Sequence, residues 1–201
     1  QKTAYEIGVR LVGSEMCIRD RRVCYICKKK KAVFRKYWHH RAFAKDLEKA
    51  IAEKDLDRSF KVNKINVVLD ASLGIKHDFF LDLAKTFSVP ESSISILVFE
   101  SENNAVQDYA NFFKKNDITF FGKFKNELSA FCSKKADLQI NYFNKENIYL
   151  EWVACSLSKK MSVGFSKTNQ AINDLILDID PTNTELVKKE MVKYLTLLKK
   201  I

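Results

Sequence analysis

Short, unbroken apolar runs alternate along this chain with segments whose apolar residues recur at helical spacing. The clearest run lies in Lys64-Ile65-Asn66-Val67-Val68-Leu69-Asp70-Ala71-Ser72, which predicts a buried strand over Ile65–Leu69 ending in an acidic, small-residue turn. Downstream, Phe80, Leu83, Ala84 and Phe87 predict a helix over His77–Phe87 stopped by Pro90. Ser93–Phe99, largely β-branched or aromatic, predicts a second strand. The pattern then predicts a helix over Ala105–Lys115, a short strand at Ile118–Phe121, a turn at Gly122 and a brief helix at Asn126–Cys132. A strand at Asp137–Tyr142, a helix at Glu146–Lys160 and strands at Met161–Phe165 and Asp174–Ile179 follow. A final helix spans Glu185–Lys200, capped by Thr182 or Thr184, with Leu186, Tyr194 and Leu197 inward.

Strands apolar on both faces, each separated by about a helix's length, belong to a mostly parallel sheet covered on both sides. Right-handed crossovers make that a three-layer α/β domain, Rossmann- or flavodoxin-like, over residues 63–201. Its ligand crevice is expected at the carboxyl ends of the strands, where Asp70, Ser72, Glu100, Ser101, Asn144 and Ser166 fall.

The N-terminal third reads differently. Residues 1–21 read in frame as the translation of a transposase-type sequencing-library adapter, so they are set aside from the fold, and the native start is expected to lie elsewhere. Residues 22–62 form a basic helical arm. Residues 22–61 hold thirteen Lys or Arg against five acids, a net +8 of the chain's +10, so the basicity is local. Val33, Tyr37, His40, Ala44, Leu47 and Ile51 place an apolar stripe on one face of a helix running from Ala32 to about Leu56. Three roles suit such an arm. Lys28, Lys29, Lys30 and Lys31, beside Phe34, Tyr37 and Trp38, suit an anionic membrane surface or a nucleic-acid backbone. The stripe also suits a homodimer, and the plainest account of it is a solvated amphipathic helix packed on the domain's flank.

Chemistry-bearing motifs are sparse. The turn Asp70-Ala71-Ser72-Leu73-Gly74 lacks both G-x-G-x-x-G and G-x-x-x-x-G-K-[ST], so no cofactor is specified. No G-x-S-x-G elbow occurs, and His77 has no sequence-level partner that makes it a base. Cys24-Tyr25-Ile26-Cys27 is a single C-x-x-C without the second ligand pair zinc requires, and the adjacent His39 and His40 point apart on a helix. Asp178 and Asp180 are read as a solvent-edge pair rather than metal ligands. Cys132 and Cys155 are read as buried apolar residues, and no metal site or catalytic residue is assigned. Five irregularly spaced cysteines point to a reducing compartment. The longest apolar runs fall far short of the roughly 20 residues of a membrane-spanning helix. A cytoplasmic protein, peripheral to a membrane at most, is expected.

At Ala136–Tyr142, Ser162-Val163-Gly164-Phe165-Ser166, Asn173–Ile179 and the ending Lys193–Ile201, the chain resembles an uncharacterised family of bacterial proteins, a domain of unknown function. The resemblance runs from about Lys28 to Ile201 and implies a lysine-rich N-terminal helix followed by a single Rossmann-like domain; it carries no catalytic residues. The run from Asp137 through Gly164-Phe165 is also loosely similar to the sheet half of lipopolysaccharide heptosyltransferases, but about 140 residues leave no room for their second half. Two functions follow as expectations. The first is a non-catalytic binding or adaptor module with a basic docking helix; the alternative is a nucleotide- or sugar-nucleotide-binding enzyme, or its remnant, using the crevice at Asp70, Ser72, Glu100 and Asn144.

Overall fold

The structure, a computed structural model, describes residues 33–52, 59–100 and 109–201. Among these residues six strands form one sheet: β1 (Ile65–Asp70), β2 (Ile94–Phe99), β3 (Phe112–Phe113), β4 (Ala136–Tyr142), β5 (Lys159–Phe165) and β6 (Leu175–Leu177). Their order is β3-β2-β1-β4-β5-β6 and every pairing is parallel. This is the Rossmann order rather than the flavodoxin-like one, with its switch point between β1 and β4. All six residues of β1 are buried, as expected of a central strand flanked by two neighbours and covered on both faces.

Among the described residues five α-helices cover the sheet: α1 (33–52), α2 (His77–Thr86), α3 (Asn126–Cys132), α4 (Ile148–Ser156) and α5 (Thr184–Leu197). On one face, Phe80 and Leu83 of α2 and Val187, Met191 and Leu195 of α5 bury against Val67, Leu69, Ile140, Val163 and Phe165. On the other, α3 and α4 pack over Val68, Leu97 and Phe99, and Ala42, Phe43, Leu47 and Ala50 of α1 pack against the same cluster. The apolar area on both faces is what the doubly covered sheet buries, at about 25 cal/mol per Å².

Local expectations fail where a stretch is short or its phase ambiguous. The helix expected over Ala105–Lys115 is not formed in its described part. Residues 105–108 lie outside the described residues, and Phe112–Phe113 instead pair with Val98 and Phe99 as the sheet's edge. The strand expected at Ile118–Phe121 reduces to a single antiparallel bridge, Ile118 to Phe124, around the turn at Gly122. α5 is capped by Asn183, whose side chain accepts from the Leu186 N–H, not by Thr182 or Thr184. Its inward residues are Val187, Met191 and Leu195, while Leu186 and Leu197 are exposed and Tyr194 is half-buried. Apolar residues occur so widely around α5 that spacing alone could not set its phase.

A buried polar network holds α4 and the loop before β6 against β4 and β5. Gln139 Nε2 donates to Asn141 Oδ1 at 2.7 Å and to the Ala154 carbonyl at 3.0 Å. Asn141 Nδ2 donates to Asn173 Oδ1 at 2.7 Å. Gly164 makes room for Asn173, since a β-carbon there would lie 2.5 Å from both Cγ and Oδ1 of that side chain.

Candidate functional site

The register of β1, β2 and β4 brings the expected crevice residues to one edge of the sheet. Asp70 is paired with Phe99, so Glu100 lies one residue beyond it on the neighbouring strand, and Asn144 follows the end of β4 by two residues. Most of these groups already have local work. Asp70 is buried and its carboxylate accepts from the Ser72 N–H at 2.9 Å, capping the turn that follows β1. Glu100 pairs with Lys114 at 2.9 Å. Ser72 is exposed, Asn144 is half-buried, and Ser166 donates to Asp178 at 2.6 Å. Ser101 lies outside the described residues. On the α2 face the same edge is filled by rings: Phe79, Phe80 and Phe165 meet Tyr142 edge-on at 5.7, 5.4 and 5.1 Å. The Tyr142 hydroxyl donates to the Pro181 carbonyl at 2.7 Å, and burial pushes that phenol's pKa well above its ordinary value.

Other candidate groups are equally occupied. Asp180 accepts from the N–H and hydroxyl of Thr182, which hold its carboxyl below the ordinary range. Cys132 and Cys155 are buried, and burial pushes the Cys132 thiol up to about 12. Among the described residues no group of three or more His, Cys, Asp or Glu is arranged to hold a metal ion. Cys24, Cys27 and Lys28 to Lys31 lie outside the described residues.

The α1 side of the same edge is different in character. The helix docks through Arg35, His39, Ala42, Phe43, Asp46, Leu47 and Ala50. Arg35 donates to the Lys115 and Ile118 carbonyls at 2.9 and 3.1 Å, His39 Nε2 lies 2.9 Å from the Thr119 carbonyl, and Trp152 donates to Asp46 at 2.6 Å. Gly122 allows this approach, because a β-carbon there would lie 3.0 Å from the Ala42 methyl and 2.7 Å from the Trp152 ring. The stripe read from spacing therefore does not mark the docked face. Of its members only Leu47 packs against the core; Val33, Tyr37, His40, Ala44 and Ile51 face outward. Polar contacts from Arg35, His39 and Asp46 set the helix's rotation, and apolar spacing could not register them.

Two features result. Val33, Phe34, Tyr37 and Trp38 are 70, 60, 57 and 40% exposed, and Trp38 meets Phe121, itself 70% exposed, at 6.4 Å. Lys36, Arg41 and Lys45 are exposed on the same helix. Beside this patch lies a cleft of about 790 Å³, bounded by α1, Lys115, Phe120 and the first residues of α4. Tyr149 on α4 stacks on Phe99, at the end of β2, with ring centroids 6.2 Å apart, so the cleft adjoins the sheet's carboxyl edge. Sequence reasoning assigned no role to Arg35, His39, Lys115 or Tyr149; the signal for His39 and Arg35 was their place on the opposite side of α1 from the apolar stripe.

A family described only as a family of unknown function, DUF6913, matches residues 35–198. The chain belongs to the DUF6913 family. That match meets the expected membership in an uncharacterised family and begins within α1, so the DUF6913 extent takes in the docked helix together with the sheet. No curated protein and no solved structure matches the chain.

Proposed function

We propose that this DUF6913 protein is a non-catalytic binding module that docks on an anionic membrane surface through the outer face of α1, as a peripheral cytoplasmic protein. The observation that carries this reading is a helix with two apolar faces. One face is spent on the domain, and the other presents Val33, Phe34, Tyr37 and Trp38, with Phe121 alongside, among exposed cations. Aromatic rings favour the headgroup boundary, and each nearby Lys or Arg adds about 1 kcal/mol at an anionic leaflet. Lys28 to Lys31 precede the helix directly in sequence and add four charges. Among the described residues no helix is long and apolar enough to cross a membrane. Aliphatic Val33 and Ile51 favour lipid over nucleic acid, because a phosphodiester backbone offers them nothing to bury against.

Co-sedimentation of the full chain with vesicles tests the reading. Binding to phosphatidylcholine vesicles containing phosphatidylglycerol is expected, with loss at high salt, and none to phosphatidylcholine alone. Phe34→Ala with Trp38→Ala, or neutralising Lys28 to Lys31, should each weaken it at least tenfold. Binding indifferent to both changes would overturn the reading. So would preferential binding to an oligonucleotide, or light scattering showing that a second copy covers the stripe. A nucleotide or sugar nucleotide that raises the melting temperature and loses its effect on Asp70→Asn would favour the small-ligand reading at Asp70, Ser72, Glu100 and Asn144.

A further inference from the structure

The cleft between α1 and the start of α4 has a composition that surface docking does not require. Arg35, Lys36, His39 and His40 reach it from α1 and Lys115 from the turn after β3, and none of the residues lining it is acidic. It also receives the N-terminus of the nine-residue α4, through Ile148 and Tyr149, where helix polarity favours negative charge. His39 is 1% exposed and lines the cleft. Its Nε2 faces the Thr119 carbonyl, which can only accept, so Nε2 carries the hydrogen and Nδ1 is left buried with no partner. Arg35 Nε is likewise buried without a partner. Native interiors seldom leave such atoms unmatched, and a bound water or ion is one of the standard reasons when they do.

We infer that this cleft binds a phosphomonoester, its phosphate seated among Lys36, Lys115 and His39 at the start of α4 and its organic part against Phe120 and Ile148. A phosphomonoester brings close to two charges and three acceptor oxygens, matching several cations at once better than a carboxylate does. The volume far exceeds one phosphate and falls within the range of small-molecule sites. Arg35 supports the site chiefly through Nη2, which donates to the carbonyls of Lys115 and Ile118 and fixes the turn that carries Lys115. Nearby acids are engaged elsewhere: Glu100 with Lys114 and Asp46 with Trp152. Two acids lie close to that helix end: Glu146, exposed just before the α4 cap, and Glu151, buried in the first turn of α4, where burial pushes its carboxyl up in pKa and favours the neutral form. Burial holds the His39 pKa below 6.5, opposed by the Thr119 bond and reinforced by the charges of Arg35, Lys115 and His40. With Nε2–H held by Thr119, Nδ1 meets a phosphate oxygen only as the N–H of the protonated imidazole, so seating the phosphate takes up a proton, and the phosphate's charge offsets those three cations and raises the His39 pKa.

The test is calorimetric titration of the full chain with glycerol 3-phosphate and, separately, with phosphatidylcholine vesicles containing phosphatidic acid, whose headgroup is the same monoester. NMR of the imidazole C–H resonances follows His39. Saturable binding of glycerol 3-phosphate, weakened at least tenfold by Lys115→Gln and by His39→Gln and accompanied by a rise in the His39 pKa, would establish a soluble ligand. Binding of phosphatidic acid vesicles only, with the same losses, would establish a lipid headgroup. His39→Gln keeps a donor towards Thr119 and removes the unpartnered ring nitrogen, and neither residue lies on the outer face of α1. No binding of either probe, or binding indifferent to both substitutions, overturns the inference, whatever becomes of docking through Phe34 and Trp38.

Discussion

Gly122→Ala should loosen α1 from the domain, because Gly122 sits where that helix meets the core. Its φ is +85°, a region where an L-residue is strained by about 1–2 kcal/mol. The added β-carbon would meet Trp152 Cη2 at 2.7 Å, the Ala42 methyl at 3.0 Å and Trp152 Cζ2 at 3.1 Å. Trp152 is fully buried and its indole N–H is held by Asp46, so the ring has nowhere to go and relief must come from α1 moving outward. Overpacking of this kind costs about 1–3 kcal/mol, so the combined loss is about 2–5 kcal/mol. With a urea m-value of about 2 kcal/mol/M, the midpoint of a two-state transition should fall by about 1–2.5 M. Hydrogen exchange should show where the loss falls: α1 amides should exchange much faster while β1 and β4 stay protected. Gly122→Asn separates the two causes, since Asn adopts positive φ more readily but still carries the β-carbon. An Asn variant nearly as damaging as Ala assigns the cost to the contact with Trp152 and Ala42. A midpoint shift below about 0.3 M with unchanged α1 exchange would refute the reasoning that this turn sets the helix's seat.

Three other outcomes are expected. Gly164→Ala should displace Asn173 and orphan Asn141 Nδ2, costing about 2–4 kcal/mol by urea unfolding, and near-neutrality would show that Asn173 can turn aside. Asp137 is opposed by burial, but Lys160 at 2.8 Å and the N–H groups of Asn63 and Lys64 hold its carboxyl below 3.8. Its contribution is therefore full above pH 3.8 and lost as pH falls through the lowered value; Asp137→Ala should cost about 1–2 kcal/mol at neutral pH and flatten acid unfolding, and an unchanged acid limb would contradict this. His39 acts in the same sense at higher pH: as pH falls below 6.5 the unfolded chain takes up a proton before the folded one, so stability declines until the folded value is reached. Urea midpoints in phosphate-free buffer should drop between about pH 7.5 and pH 5.5, and His39→Gln should remove part of that slope.

Much of the fold was legible because it rests on local composition. Val67, Val68, Ile96, Leu97, Ile140 and Val163 lie in runs apolar on both faces, and only a doubly covered parallel sheet accommodates several of those. Membership in a family of unknown function was also readable, from the stretches around β4, β5 and the last helix. The candidate crevice was readable as a location, since strand ends meet at one edge in any such sheet, but not as a site. Whether Asp70 and Glu100 were free depended on Ser72 and Lys114, and the second of those partners comes from a different strand's end.

What composition and spacing determined by themselves was the class of sheet, the concentration of positive charge before it, and the absence of the common phosphate-loop and nucleophile-elbow motifs. Tertiary structure alone decided the strand order, the rotation of α1 and the cleft beside it. Strand order depends on which edges meet after long crossovers. The rotation of α1 depends on bonds from Arg35, His39 and Asp46 to residues roughly 80 to 106 positions away, which no local period encodes. Once those bonds hold the helix, the apolar stripe that looked like its inner face becomes its outer one, and the cations beside it close a cleft against α4.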